Sequence, residues 1–252
     1  MYHELEVEGR SASQLDPGYL RYVVREHEFR GQMEWLHSVE LKGISVSEAL
    51  TGKTPGGIVI TFDDGCETDL SVAAPLLCKL NFDATFYITA GFLGRPGYLA
   101  ANQLHELSNA GFEIGCHSMT HPYLSDLDDL QLHREIVEAK SRLEEIIGHP
   151  VQHFSCPGGR WSPAVAAMAR RAGYRSVATS RIAFNSATSD PFKLARLVVM
   201  REVKLKAFQD LCQGRGLWQR QFRSVIQTKS QQLLGNAIYD RLRDLMLRKR
   251  QR

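Results

Sequence analysis

The stretch Ile58-Val59-Ile60-Thr61-Phe62-Asp63-Asp64-Gly65 decides the reading of the whole chain. A short β-branched run between Gly56-Gly57 and Gly65 has the signature of a buried strand. Two carboxylates stand side by side at its C-terminal end, where α/β sheets keep their chemistry. Neighbouring side chains on a strand point different ways, so one Asp can hold a metal while the other faces a substrate. Taken alone, Asp-Asp-Gly is as well explained by a turn and a helix cap. A second cluster changes that. His117-Ser118-Met119-Thr120-His121 follows another short strand, Phe112-Glu113-Ile114-Gly115-Cys116. Two His four residues apart fall on one face of a helical turn, a spacing that suits a single ion. With Asp64 they form a set of one carboxylate and two imidazoles, leaving positions for water and substrate. Zn²⁺ is the first choice for that set, and its likeness to the non-haem iron triad keeps Fe²⁺, Co²⁺ and Mn²⁺ open.

Thr61-Phe62-Asp63-Asp64-Gly65 and His117-Ser118-x-x-His121 resemble the first two signature motifs of the polysaccharide deacetylases, the NodB homology domain of family 4 carbohydrate esterases. They stand in the same order, with His117 53 positions after Asp64. The resemblance implies an α/β fold, a distorted (β/α) barrel of about seven strands with its site at the C-terminal edge. It implies Asp63 as general base and Asp64, His117 and His121 as metal ligands. Motif order extends it over residues 1–213, leaving residues 214–252 as a basic helical C-terminal extension.

Ser155-Cys156-Pro157-Gly158-Gly159-Arg160 is similar to the third family motif. Pro157 and Gly159 match, but Gly158 replaces an aromatic and Ser155 stands where an Arg orients the base. The family uses the amide at the aromatic position as an oxyanion donor, which a glycine still supplies, so Gly158 joins the catalytic set. Arg160 and Arg196 are the candidates for the missing Arg. The Tyr2-His3 pair resembles the last motif of a circularly permuted branch, the poly-N-acetylglucosamine deacetylases, which makes His3 the general acid. No His near Leu197-Val198-Val199-Met200-Arg201 competes for that role, and residues 182–190 offer no clear fourth motif.

The remaining composition narrows the setting. At 252 residues with 43% hydrophobic and 23% charged residues, the chain has material for one sizeable α/β domain. It has no apolar run of the roughly 18 residues that a membrane-spanning helix needs, and no signal-peptide pattern. A strand opening at Met1 is abrupt, so a start further upstream is expected. Five Cys without a CxxC pair argue against a disulfide framework, and three of them flank motifs, which favours a cytoplasmic setting. From Leu217 on there are nine Lys/Arg against two Asp, which leaves the rest of the chain net negative. That balance gives no case for a nucleic-acid partner. It allows peripheral contact of the tail with an anionic membrane, with Tyr239, Leu242, Leu245 and Met246 on one helical face.

The chain in order reads as a strand at residues 2–7, a helix carrying Phe29, Met33 and Leu36, and helices over 70–80, 102–110, 125–147 and 162–172. The charged residues of the 125–147 helix read as a solvated face. Strands are expected at 84–88, 151–154, 174–179 and 192–200, with a short helix at 204–212. His153 reads as a strand residue rather than a ligand. The function implied is a metal-dependent hydrolase that removes N-acetyl groups from an amino-sugar glycan or a lipid-linked glycan precursor, so the partner is an N-acetylated glycan. The alternatives are a glycan-binding pseudoenzyme of the same fold and a hydrolase of another non-peptide C–N bond.

Overall fold

The structure is a computed structural model that describes residues 1–217 and residue 221. The expected basic extension lies almost wholly outside the described residues, its apolar face included. Among the described residues, no helix is long and apolar enough to cross a membrane.

Five short strands build the central sheet: β1 (Thr61–Asp64), β2 (Thr85–Ile88), β3 (Glu113–Cys116), β4 (His153–Ser155) and β5 (Ser176–Ala178). All neighbours run parallel, in sequence order from β1 to β5. Parallel neighbours need crossovers, and a helical segment follows each of the first four strands. These include Ala74–Lys79 after β1, Ala101–Asn109 after β2, the long segment 129–147 after β3 and Pro163–Arg171 after β4. Their boundaries follow local chemistry. Asp128 and Gln131 form a reciprocal cap at the start of the long helix, and Gly148 closes it at φ 77°. Ser162 caps Pro163–Arg171 through its hydroxyl.

Strand alternation sorts the side chains. Phe62, Phe86, Ile114, Phe154 and Val177 join the large core under the helices. The Phe62 and Phe86 rings stack at 4.8 Å, and truncating either to Ala is expected to cost about 3–5 kcal/mol. The opposite face encloses a smaller apolar cluster of Val46, Tyr87, Ala178 and Leu194. At its amino-terminal end a polar network forms a floor. Glu113 accepts from Thr85 Oγ1 and from the Val46 and Ser47 amides. His153 is bound by Ser47 Oγ and Ser176 Oγ, each at 2.8 Å, and is therefore a structural residue as the sequence suggests.

Among the described residues the central parallel sheet has five strands, and two further parallel pairs stand apart from it, Leu5–Glu6 with Val24–Arg25 and Gly43–Ile44 with Ile58–Val59. The opening run is thus divided. The Ile60 amide donates to Ile44 while its carbonyl accepts from Thr85, so the chain changes partner at that residue. The expected strand at 192–200 is extended chain that bridges the sheet only at Leu194, opposite Ala178. A turn at Pro191–Lys193 and the inward reach of Arg196 displace it from regular pairing. Residues 1–3 lie on the other side: the Tyr2 amide donates to Thr61, the Asp63 amide to Tyr2, and the Val199 amide to Met1.

Candidate active site

Asp63 and Asp64 end β1 and diverge as expected, but the cause is partly backbone. Asp64 has φ 82°, a left-handed conformation rare for a residue with a Cβ. Asp63 turns inward to Arg196, which grips it through both guanidinium nitrogens at 2.7 and 2.8 Å. The same Arg196 donates to Ser155 Oγ at 2.7 Å and to the Thr179 carbonyl at 3.1 Å. Of the two candidates for the missing arginine, Arg196 meets Asp63, while the Arg160 guanidinium lies over the Tyr123 ring at 4.8 Å. The small Ser155 leaves room for an arginine arriving from the far side of the sheet. Burial disfavours the Asp63 charge, yet Arg196 outweighs it and holds the carboxyl well below the usual range.

Asp64, His117 and His121 converge. Their ligand atoms lie within 4.8 Å of one another. Asp64 Oδ1 stands 3.6 Å from His117 Nε2 and 3.4 Å from His121 Nε2. Ligands that share one ion at about 2.1 Å each sit at comparable separations. Two observations fit a cation here. Asp64 Oδ1 is buried without a hydrogen-bond donor, which is costly for a carboxylate unless a positive charge meets it. His117 Nδ1 lies 2.9 Å from the Ser155 carbonyl, so that nitrogen carries the proton and Nε2 presents its lone pair to Asp64. Burial pushes the His117 pKa down to about 4 against the pull of Asp63, keeping the ring neutral as a ligand must be.

The two histidines do not share a helical turn. Residues 117–121 form a loop in which Ser118 and His121 take φ 71° and 65°. Left-handed residues of this kind cost about 1–3 kcal/mol each and persist where surrounding contacts enforce them. Ser118 Oγ accepts from the His121 amide at 2.9 Å. The 118 and 119 carbonyls accept from Ala90 and Gly91.

Of the catalytic candidates from outside β1, His3 stands close enough to Asp64 and Asp63 to feel both charges. The Tyr2–Phe62 bridge puts His3 level with Asp63 in register. His3 packs against Tyr22 at 4.7 Å between ring centroids, and its Nδ1 is buried without a partner. Burial lowers its pKa, against the opposing charges of Asp64 and Asp63. Gly158 sits exposed in the Pro157–Gly159 turn just past β4, at φ 58°. A Cβ there would come within 2.8 Å of the Tyr123 ring. The aromatic missing from position 158 is thus replaced in space by one from the loop after His121, which position-by-position reading misses.

Glu135 was also hidden. It reads as part of a solvated helix face, but it is 5% exposed and bonds the histidine loop. Asp69 is fully buried, and neither carboxyl oxygen has a hydrogen-bond partner. Burial, then the charges of Asp64 and Glu4, push its pKa well above the ordinary value. As pH rises past the carboxyl's unfolded value of about 3.9, the unfolded chain releases a proton that the folded chain keeps, and folding loses stability. Asp69→Asn removes this penalty. Its melting temperature relative to the parent is expected to climb from pH 4.5 to 7.5; a flat or falling difference would mean the carboxyl is ionised.

A family model described as polysaccharide deacetylase matches residues 51–177. The chain is 36% identical over 121 residues to a peptidoglycan-N-acetylglucosamine deacetylase of Bacillus cereus, a match covering 48% of this chain and 54% of that protein. The chain therefore spans about half the length of that relative. In fold it is similar to the Streptococcus pyogenes deacetylase PplD in complex with acetate, at TM-score 0.74 and 20% identity, covering 84% of this chain and 95% of that one. It is likewise similar to IcaB from Ammonifex degensii, at TM-score 0.70 and 24% identity, covering 84% and 94%.

Proposed function

Because the chain belongs to the polysaccharide deacetylase family, we propose that it hydrolyses the N-acetyl group of an amino sugar within a glycan. The observation that carries this reading is the unpartnered Asp64 oxygen facing two imidazoles, beside a separately tethered Asp63. Relatives named for peptidoglycan N-acetylglucosamine, chitooligosaccharide and poly-β-1,6-N-acetylglucosamine support the substrate class.

Asp64, His117 and His121 would hold a divalent ion, with Zn²⁺ the first choice. Such an ion lowers the pKa of a water and polarises the amide carbonyl. Asp63, held by Arg196 with its Oδ2 3.7 Å from His117 Nε2, takes the proton of the attacking water. The Gly158 amide donates to the carbonyl oxygen as negative charge develops on it. His3 gives a proton to the departing amine nitrogen when the C–N bond breaks, releasing acetate and a free amino sugar. Arg196 keeps Asp63 ionised and fixed in direction. Seven staves belong to the same proposal: the five strands plus the extended residues 194–199 and 1–3, whose hydrogen bonds run from β5 back to β1. So does the division into a catalytic domain over 1–213 and a basic extension.

The test is acetate release from a short N-acetylglucosamine oligomer, with and without a chelator and with Zn²⁺ or Co²⁺ added back. Release that stops on chelation and returns with metal supports the proposal. Oligomer binding without acetate favours the pseudoenzyme. In a parallel melt, Zn²⁺ at about a thousand times its Kd is expected to stabilise the parent by roughly 4 kcal/mol. His121→Ala should lose most of that gain, and an equal gain in both proteins would remove His121 from the ligand set.

A further inference from the structure

We propose that Glu135 is a positioning residue that sets the metal affinity of the loop carrying both histidines. The inference rests on the reading of Asp64, His117 and His121 as a metal site. Glu135 Oε2 accepts from the Met119 amide at 2.9 Å and from the Thr120 amide at 2.7 Å, and Oε1 accepts from Thr120 Oγ1 at 2.6 Å. One buried carboxylate thus fixes the two residues midway between the histidines. Those residues are flanked by Ser118, in a left-handed conformation, and followed by His121, in another. Within the loop the Ser118 Oγ bond to the His121 amide supports that path, and Glu135 holds the two residues between them from outside.

The helix that carries Glu135 is shaped for the task. Regular α-helix over Asp129–His133 gives way to a wide π turn at Arg134–Glu138 before α-helix resumes at Ala139–Ile147. Such turns are rare and collect at functional sites, because they aim a side chain that a regular helix would direct elsewhere. Here Glu135 stands in the wide turn on the buried face of the helix, beside Leu132, Ile136 and Ala139. Groups that orient metal ligands without touching the ion commonly control affinity by roughly 10- to 100-fold.

Glutamine can reproduce the arrangement. Its amide oxygen accepts both backbone N–H groups and its NH₂ donates to Thr120 Oγ1, which can accept as well as donate. Leucine cannot. The experiment is Co²⁺ titration of the metal-free full chain, followed by visible absorption, with a metal-free melt as the control for folding. Glu135→Leu is expected to weaken Co²⁺ by roughly 10- to 100-fold and to alter the ligand-field bands. Glu135→Gln should stay within about threefold of the parent, and Thr120→Val should fall between the two. A folded Glu135→Leu protein with the parent's affinity and spectrum overturns the proposal. Should that variant not fold, unchanged affinity in Thr120→Val does so. A parent chain that takes up no Co²⁺ instead removes the metal site, and the role of Glu135 with it.

Discussion

Asp63→Asn is expected to lower kcat for acetate release by about 10²- to 10⁴-fold, the range that a positioned general base supplies. The substitution keeps shape and leaves an oxygen for Arg196 but strips the buried guanidinium of its counter-charge, so a melt showing the variant folded accompanies the assay. It removes the group that accepts the water's proton while leaving Asp64, His117 and His121 as they are. The distinguishing result is a pair of measurements: stoichiometric Co²⁺ uptake close to that of the parent, and acetate release near background. Activity within threefold of the parent would sink the assignment of Asp63 as base. Loss of Co²⁺ uptake together with activity would place Asp63 among the ligands instead.

The second large effect is on stability. Arg196 and Asp63 are both buried and joined by two short hydrogen bonds. Removing one member of such a pair leaves a charge without its partner and costs about 3–5 kcal/mol. Arg196→Met should therefore unfold at markedly lower denaturant at pH 7. The pH dependence follows from the sign of the Asp63 shift. Its folded pKa is depressed, so the pair contributes stability above the ordinary carboxylate range that is lost as pH falls toward the folded value. The deficit of Arg196→Met should accordingly be widest near neutrality and narrow with acidification, because a protonated Asp63 needs no counter-ion. A deficit independent of pH would mean that Arg196 acts through packing alone. Combining Arg196→Met with Asp63→Asn should restore part of the lost stability, since contacting partners are not additive.

The catalytic motifs were legible because each is a short run whose chemistry is local. Asp63-Asp64 and the two histidines announce a metal site by residue type and spacing, and the strand before each carries its own β-branched or aromatic signal. What sequence could not supply was anything decided across the sheet. Arg196 reaches Asp63 from 133 positions away, and Tyr123 fills the space beside Gly158 from a different loop. The helical turn expected for residues 117–121 failed because spacing by four fits a helix and a tight loop alike. The Ser118–His121 bond, the Ala90 and Gly91 amides and the grip of Glu135 on Met119 and Thr120 together select the loop. Glu135 differs from the sequence reading for another reason: its charge suggested a solvated face, although its spacing from Leu132, Ile136 and Ala139 puts it on the buried one.

The wide turns at Asp69–Ala73 and Arg134–Glu138 bear on which changes in length this chain tolerates. Each accommodates one residue more than a regular helix of the same rise. Losing a single codon within either wide turn would let the backbone relax into ordinary α-helical geometry, which by itself is favourable. The flanks on either side would keep their faces, because the wide turn is what absorbs the extra residue, whereas a deletion in a regular stretch swings one side by about 100° around the helix axis. A one-residue deletion inside either wide turn should therefore be tolerated better than the same deletion in the regular turns beside it.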